Sequence, residues 1–270
     1  MTAFVLWGGI QRIAKLSTLL GALCAAVYAI SGLVIVMSHL GTIPKAFSVI
    51  FSSAFSSHAF SGGMIGASLF YVIQIGMTWG ICSHHIGWGS ASIAAAAAKT
   101  DVPGRQALIA MAGFFFCIIL SAITALVLFV TDAPTLVRVH GPVMTAASFV
   151  MHAFRSVIPA GDVLVLFALF AFGFTSVIAW GYYGEKCLEF LLRGKAILGY
   201  RICFCLSLLA GSMASLDLFW PLSNCIHGLM ALCNTLALIG LSSVVAIETR
   251  VFFDLVAKEK RQKHSAELSL

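Results

Sequence analysis

An all-helical integral membrane protein with about six transmembrane spans is the fold class this sequence predicts, and three observations predict it. Of its 270 residues 60% are hydrophobic and only 10% charged, with a mean hydropathy of +1.02, whereas a water-facing domain carries roughly 25% charge. Six apolar runs are close to or longer than the roughly 20 residues that cross a hydrocarbon core. The lysines and arginines, finally, gather on alternate connections between those runs.

The runs are Ser17–Leu40, Gly66–Ala98, Gln106–Thr131, Val163–Gly184, Leu198–Leu216 and Leu218–Ile247; none contains an acid, and Arg201, near one end, is their only Lys or Arg. After the first, Ile43, Phe47, Ile50, Phe51 and Phe55 fall on one face of "IPKAFSVIFSSAF", the spacing of a short amphipathic helix at the outer surface or over a vestibule. The second run exceeds what a straight span needs, so it tilts steeply or is interrupted. An interruption costs least at Ser83–Gly89, "SHHIGWG". Glycine lowers helix stability by roughly 1 kcal/mol, and small polar side chains take up freed backbone groups. Irregular backbone at membrane depth survives only where it lines a cavity or is buried in protein, so one broken helix is expected. The third run is uniformly apolar. Beyond it, Val143, Ala147, Val150 and Phe154 repeat the amphipathic pattern in "VMTAASFVMHAF". The fourth run holds Thr175 and Ser176 with Trp180 one turn on, then Tyr182, Tyr183 and Glu185 at its exit; the sixth holds Asn224, His227 and Asn234.

Six spans put both termini on one side. All sixteen Lys and Arg residues except Lys45, Arg138 and Arg155 belong to that side, so the positive-inside rule makes both termini cytoplasmic. The basic tail "KEKRQKH" then reads as a topology signal, with anionic lipid as the lesser alternative, and the net charge of +6 gives no case for nucleic acid. No secretory signal is expected, because "MTAFVLWGGIQRIAK" turns basic after a short apolar patch. The eight cysteines include no Cys-x-x-Cys and are expected as buried free thiols. The chain reads as a single transmembrane domain, 1–270, with 1–16 a cytoplasmic lead-in and 251–270 a basic cytoplasmic tail.

Two stretches carry candidate function. His84 and His85 make a poor metal pair, since helical neighbours point about 100° apart and only Cys82 stands beside them as another ligand type. They are either a histidine pair in the cytoplasmic membrane interface or part of a break at a solute site. Thr175 and Ser176 either bond carbonyls of their own helix or ligate a hard cation, with Trp180 walling an apolar pocket. Asn224, His227 and Asn234 read chiefly as interhelical hydrogen-bonding groups. The runs contain no acid–base or nucleophile–base pair, so no enzyme and no cofactor are expected.

Taken together, "GGIQRIAK", "IPKAFSVIFSSAF", "GSASIAAAAAKTDVPGRQAL", "WGYYGEKCLEFL" and "HGLMALCNTLALIGLSSVV" resemble the alanine/glycine:cation symporter family, the sodium:alanine symporters. The likeness runs along nearly the whole chain and is to the C-terminal portion of the longer family members. It implies the second half of a leucine-transporter-like inverted-repeat fold. It also implies sodium-coupled symport of alanine or glycine across a cell membrane, such as a bacterial inner membrane, with sodium as a co-transported ligand. Position by position, the resemblance puts Ser83, His84 and Gly87 at the break beside the substrate. It puts Thr175 and Ser176 at the sodium ion and Trp180 against the amino acid. Two departures stand out: Ser83-His84-His85-Ile86-Gly87 replaces the family's usual Ser-Asn-Glu-Ala-Gly, and Trp79 replaces a usual Arg. The histidines imply a pH sensitivity between about pH 5 and 8. The first repeat, with the first broken helix, is expected from a separate N-terminal half or a longer chain. The alternative is a truncated, non-transporting membrane remnant or interaction subunit.

Overall fold

A computed structural model describes residues 9–54, 73–80, 87–133, 145–213 and 216–267. Its regular elements there are all helical: α1 (Gly9–Ser38), a 3-10 turn (Leu40–Thr42), α2 (Ile43–Ala54), α3 (73–80), α4 (Ser90–Ala95), α5 (Pro103–Val130), α6 (Ala146–Arg155), α7 (Gly161–Leu192), α8 (Ile197–Met213), α9 (Leu216–Gly240) and α10 (Ser242–Glu267). Among the described residues four segments are long and apolar enough to cross a membrane: Lys15–Ser38, Pro103–Val130, Gly161–Leu192 and Phe219–Gly240. Six were expected. Over the fifth, the described residues form a 17-residue helix, α8. Within the second, the described residues hold two short helices, α3 and α4, rather than one long one.

The chain forms two compact units, one comprising Met1–Met77 with Cys117–Leu209, the other Thr78–Phe116 with Ala210–Leu270. In the first, α1 packs along α7 around a core of Ile35, Val127, Phe154 and Val165, each at most 1% exposed. The crossing of α1 with α5 is close: a Cβ on Gly32 would lie 2.5 Å from Ile123 Cγ2. Beside it the Tyr28 ring stacks on Phe154 at 5.1 Å, and its hydroxyl hydrogen-bonds Thr124 Oγ1 at 2.8 Å.

Helix α6 starts where Thr145 Oγ1 accepts the Ser148 amide at 3.3 Å, an N-cap that satisfies an otherwise orphan donor. Its packed face runs through Val150 and Phe154, as its spacing predicts; Val143 lies outside the described residues. The corner into α7 is tight. Ala160 adopts φ 58°, a left-handed backbone costing a non-glycine residue on the order of 1 kcal/mol. Gly161 follows with its Cα pressed on the Phe154 carbonyl, where a Cβ would come within 2.5 Å. An Arg155–Asp162 ion pair of 2.7 Å spans the corner.

In α2 the expected apolar face is packed only in part. Ala46 is buried and Ile43 packs against the core, whereas Phe47 and Phe51 stay exposed; Phe55 lies outside the described residues. A small alanine lets the helix approach closely, which the bulky phenylalanine face does not.

In the second unit α5 begins at Pro103, a favourable first helical position. Gly104 gives the Phe252 ring of α10 its seat, a Cβ there meeting the ring at 2.5 Å. Arg105 pairs with Glu259 of α10 and, at 3.4 Å, with Asp101.

The cysteines differ from expectation. Those described are free, but Cys24 alone among them is buried, and Cys117, Cys187, Cys203, Cys225 and Cys233 are exposed. The apolar runs that hold them turn much of their surface outward. No candidate span buries more than 28% of its most apolar stretch inside the chain. Such surface suits lipid or further protein rather than water.

Candidate functional site

The second unit holds the interruption. After α3 and the segment 81–86, the backbone turns through Gly87 at φ 83° and Gly89 at φ 79° before α4 begins at Ser90. Left-handed backbone at two positions in three residues is incompatible with a continuous α-helix, and glycine adopts it without a Cβ penalty. Of the break residues named from sequence, Gly87 is therefore placed in a non-helical turn; Ser83, His84 and His85 lie outside the described residues.

Two side chains of α9, His227 and Asn234, pack on this turn, and a third supports one of them. The His227 ring lies flat on Trp88, centroids 3.8 Å apart and planes 3° from parallel. Ser223 hydrogen-bonds His227 Nδ1 at 3.3 Å. Asn234 packs its amide over Gly89, so closely that a Cβ on the glycine would sit 2.9 Å from Asn234 Oδ1. Ser90 is buried, and its Oγ has no hydrogen-bond partner among the described residues; an unpaired buried hydroxyl costs roughly 1–3 kcal/mol. Trp88 and Ser90 carry no weight in the sequence reading. The signal for them was the positive-φ demand of the flanking glycines, which fixes these two residues at the turn.

The first unit holds the other candidates, all on α7. Thr175 Oγ1 donates to the Phe172 carbonyl at 2.9 Å, the intrahelical use foreseen as one alternative, and its lone pairs stay available to a cation. Ser176 is exposed; Trp180, one turn later, is half-buried, with its ring edge-on to Tyr183 at 5.8 Å. Residues four apart share a helix face, so Ser176 and Trp180 present a hydroxyl and an indole side by side.

Below them α7 and α8 are locked together. Arg201 donates through Nε and Nη2 to the two oxygens of Glu185 at 2.7 and 2.8 Å, a two-point fork in which neither side chain is more than 17% exposed. The Tyr200 hydroxyl donates to the Gly181 carbonyl at 3.1 Å and lies against Gly184, where a Cβ would come within 2.1 Å of it. The lone arginine of the apolar runs thus has its partner sixteen residues upstream. Among the described residues no three His, Cys, Asp or Glu side chains gather as a metal site would require.

Apolar helices of this length, with an interruption between α3 and α4, are those of a multi-pass membrane protein. Comparison with known proteins is specific. The model of the sodium:alanine symporter family matches residues 1–266. The sodium/alanine symporter AgcS of Methanococcus maripaludis is 41% identical over 264 residues, covering 96% of this chain and 56% of that protein. An uncharacterized transporter of Haemophilus influenzae is 35% identical over 254 residues, covering 94% and 55%. The amino-acid carrier protein AlsT of Bacillus subtilis is 30% identical over 265 residues, covering 97% and 54%. The chain belongs to the sodium:alanine symporter family, a family of transporters rather than enzymes. It spans about half the length of the curated relatives it matches.

Proposed function

We propose that this chain is the C-terminal part of a sodium-coupled symporter for a small neutral amino acid, alanine or glycine, in the cell membrane. The observation that carries the reading is the left-handed turn at Gly87–Gly89 within an otherwise apolar stretch of a family member. Broken helices in membrane transporters free backbone carbonyls and amides for ions and substrates. In this reading Ser83, His84 and Gly87 contact the substrate, Trp180 forms an apolar wall for it, and Thr175 and Ser176 supply oxygens to sodium. Both termini are cytoplasmic, and the whole chain is one domain, half of a leucine-transporter-like fold. Hard cations take several oxygen ligands, more than these two hydroxyls provide, so an N-terminal half, as a separate partner or in a longer chain, completes the sites.

Paired substitutions in the assembled transporter test the assignment. Trp180→Ala should weaken alanine binding more than sodium binding, and Ser176→Ala should do the reverse, because an apolar wall and an oxygen ligand serve different ligands. Coupling between the two sites narrows the contrast without inverting it. Equal losses of both ligands in both variants would remove the site assignment.

A further inference from the structure

We infer that one face of α9 is a splint that sets the geometry of the interrupted helix, with Asn234 as its positioning residue; the functional part of this inference rests on the transport reading above. The arm before the interruption and the turn itself touch the same stripe. Before it, Trp79 of α3 stacks on Trp220 at 5.0 Å. Within it, Trp88 lies on His227 and Gly89 beneath Asn234. Residues 220, 223, 227 and 234 follow one another at intervals of three, four and seven, the spacing of a single helix face. Ser223 holds the His227 ring in orientation from one turn away.

Two requirements meet at Gly89. Its φ of 79° favours glycine, and the Asn234 amide occupies the space of a Cβ. The turn is therefore fixed both along its own backbone and against α9, while a helix lacking its internal hydrogen bonds would otherwise leave that geometry loose. Running past the break, α9 gives α3 and the turn one common reference, so loss of Asn234 should disturb the turn's position without removing any ligand of the transported solutes.

The contact can be read directly. An ideal Cβ on Gly89 lies 3.5 Å from Asn234 Cβ, at the short end of the range a disulfide bridges. In the full chain with its native cysteines replaced, Gly89→Cys with Asn234→Cys should cross-link on mild oxidation. Gly89→Cys with Thr235→Cys, about 100° further round α9, should not. No cross-link in the first pair, or equal cross-linking in both, overturns the splint. A second measurement covers cysteine variants that do not accumulate. In the assembled transporter Asn234→Ala should raise the half-saturating alanine concentration about tenfold and leave the maximal rate within about twofold, whereas Thr235→Ala moves neither. Equal effects of these two substitutions also overturn the proposal. Cross-linking in a protein that never transports alanine would fault the transport reading alone; transport without the cross-link would fault the splint alone.

Discussion

Gly21 and Gly32 sit on the same helix, and their surroundings differ completely. A Cβ on Gly21 meets nothing within 4 Å, whereas one on Gly32 meets the β-branched Ile123, whose methyl cannot swing away, at 2.5 Å. Gly21→Ala should therefore leave the detergent-solubilised protein as stable as before or slightly more so, since alanine is the better helix former by about 1 kcal/mol. Gly32→Ala should lower the apparent melting temperature, with overpacking of this kind costing about 1–3 kcal/mol. Equal thermal shifts for the two would show that the α1–α5 crossing is looser than described. The sequence does not separate these glycines, because nothing local to either one records which residue of a distant helix stands opposite. Gly87 and Gly89 were legible for the opposite reason: they lie beside a polar cluster in a run too long to be one straight span.

At the level of elements, the Glu185–Arg201 fork is what holds α7 to α8 at their connection. Removing one member strands the other in a place where neither is more than 17% exposed, a loss typically of about 3 kcal/mol or more, while removing both with apolar residues is often close to neutral. Arg201→Leu should therefore destabilise the protein strongly in a thermal unfolding assay, and Glu185→Leu combined with Arg201→Leu should recover most of the loss. A double variant as unstable as the single one would mean that the fork is not where the hairpin's stability lies. Helix positions were largely legible, since apolar runs of about 20 residues announce themselves by length; α5 follows its run closely, whereas α7 starts with its run and continues to Leu192. Other features depend on tertiary detail. In α2 Ala46 is buried beside Ile43 while Phe47 stays exposed, because a small side chain allows the closer approach. Helix α10 carries on through the charged tail to Glu267, where apolar periodicity gives no guidance. Glu185 and Arg201 were each visible as charges at run ends, but their pairing needed the turn at Arg193 and Gly194, with φ of 51° and 82°, to bring the helices back together.

For the whole molecule, the family follows from sequence along almost the entire chain, and so does the membrane character, since both rest on composition and ordered motifs. The proposed transport site is present only in parts. Ser176 and Trp180 share a face of α7 and Gly87 turns the backbone, yet sodium coordination takes more oxygens than these residues carry. The most direct measurement is uptake of labelled alanine into proteoliposomes, with and without an inward sodium gradient, for this chain alone and together with the N-terminal half of a family member. Sodium-driven accumulation is expected only when both parts are present. Concentrative uptake by the 270-residue chain alone would contradict the claim that it is one part of the transporter, and no uptake from the fully assembled pair would leave a non-transporting membrane subunit as the reading to adopt.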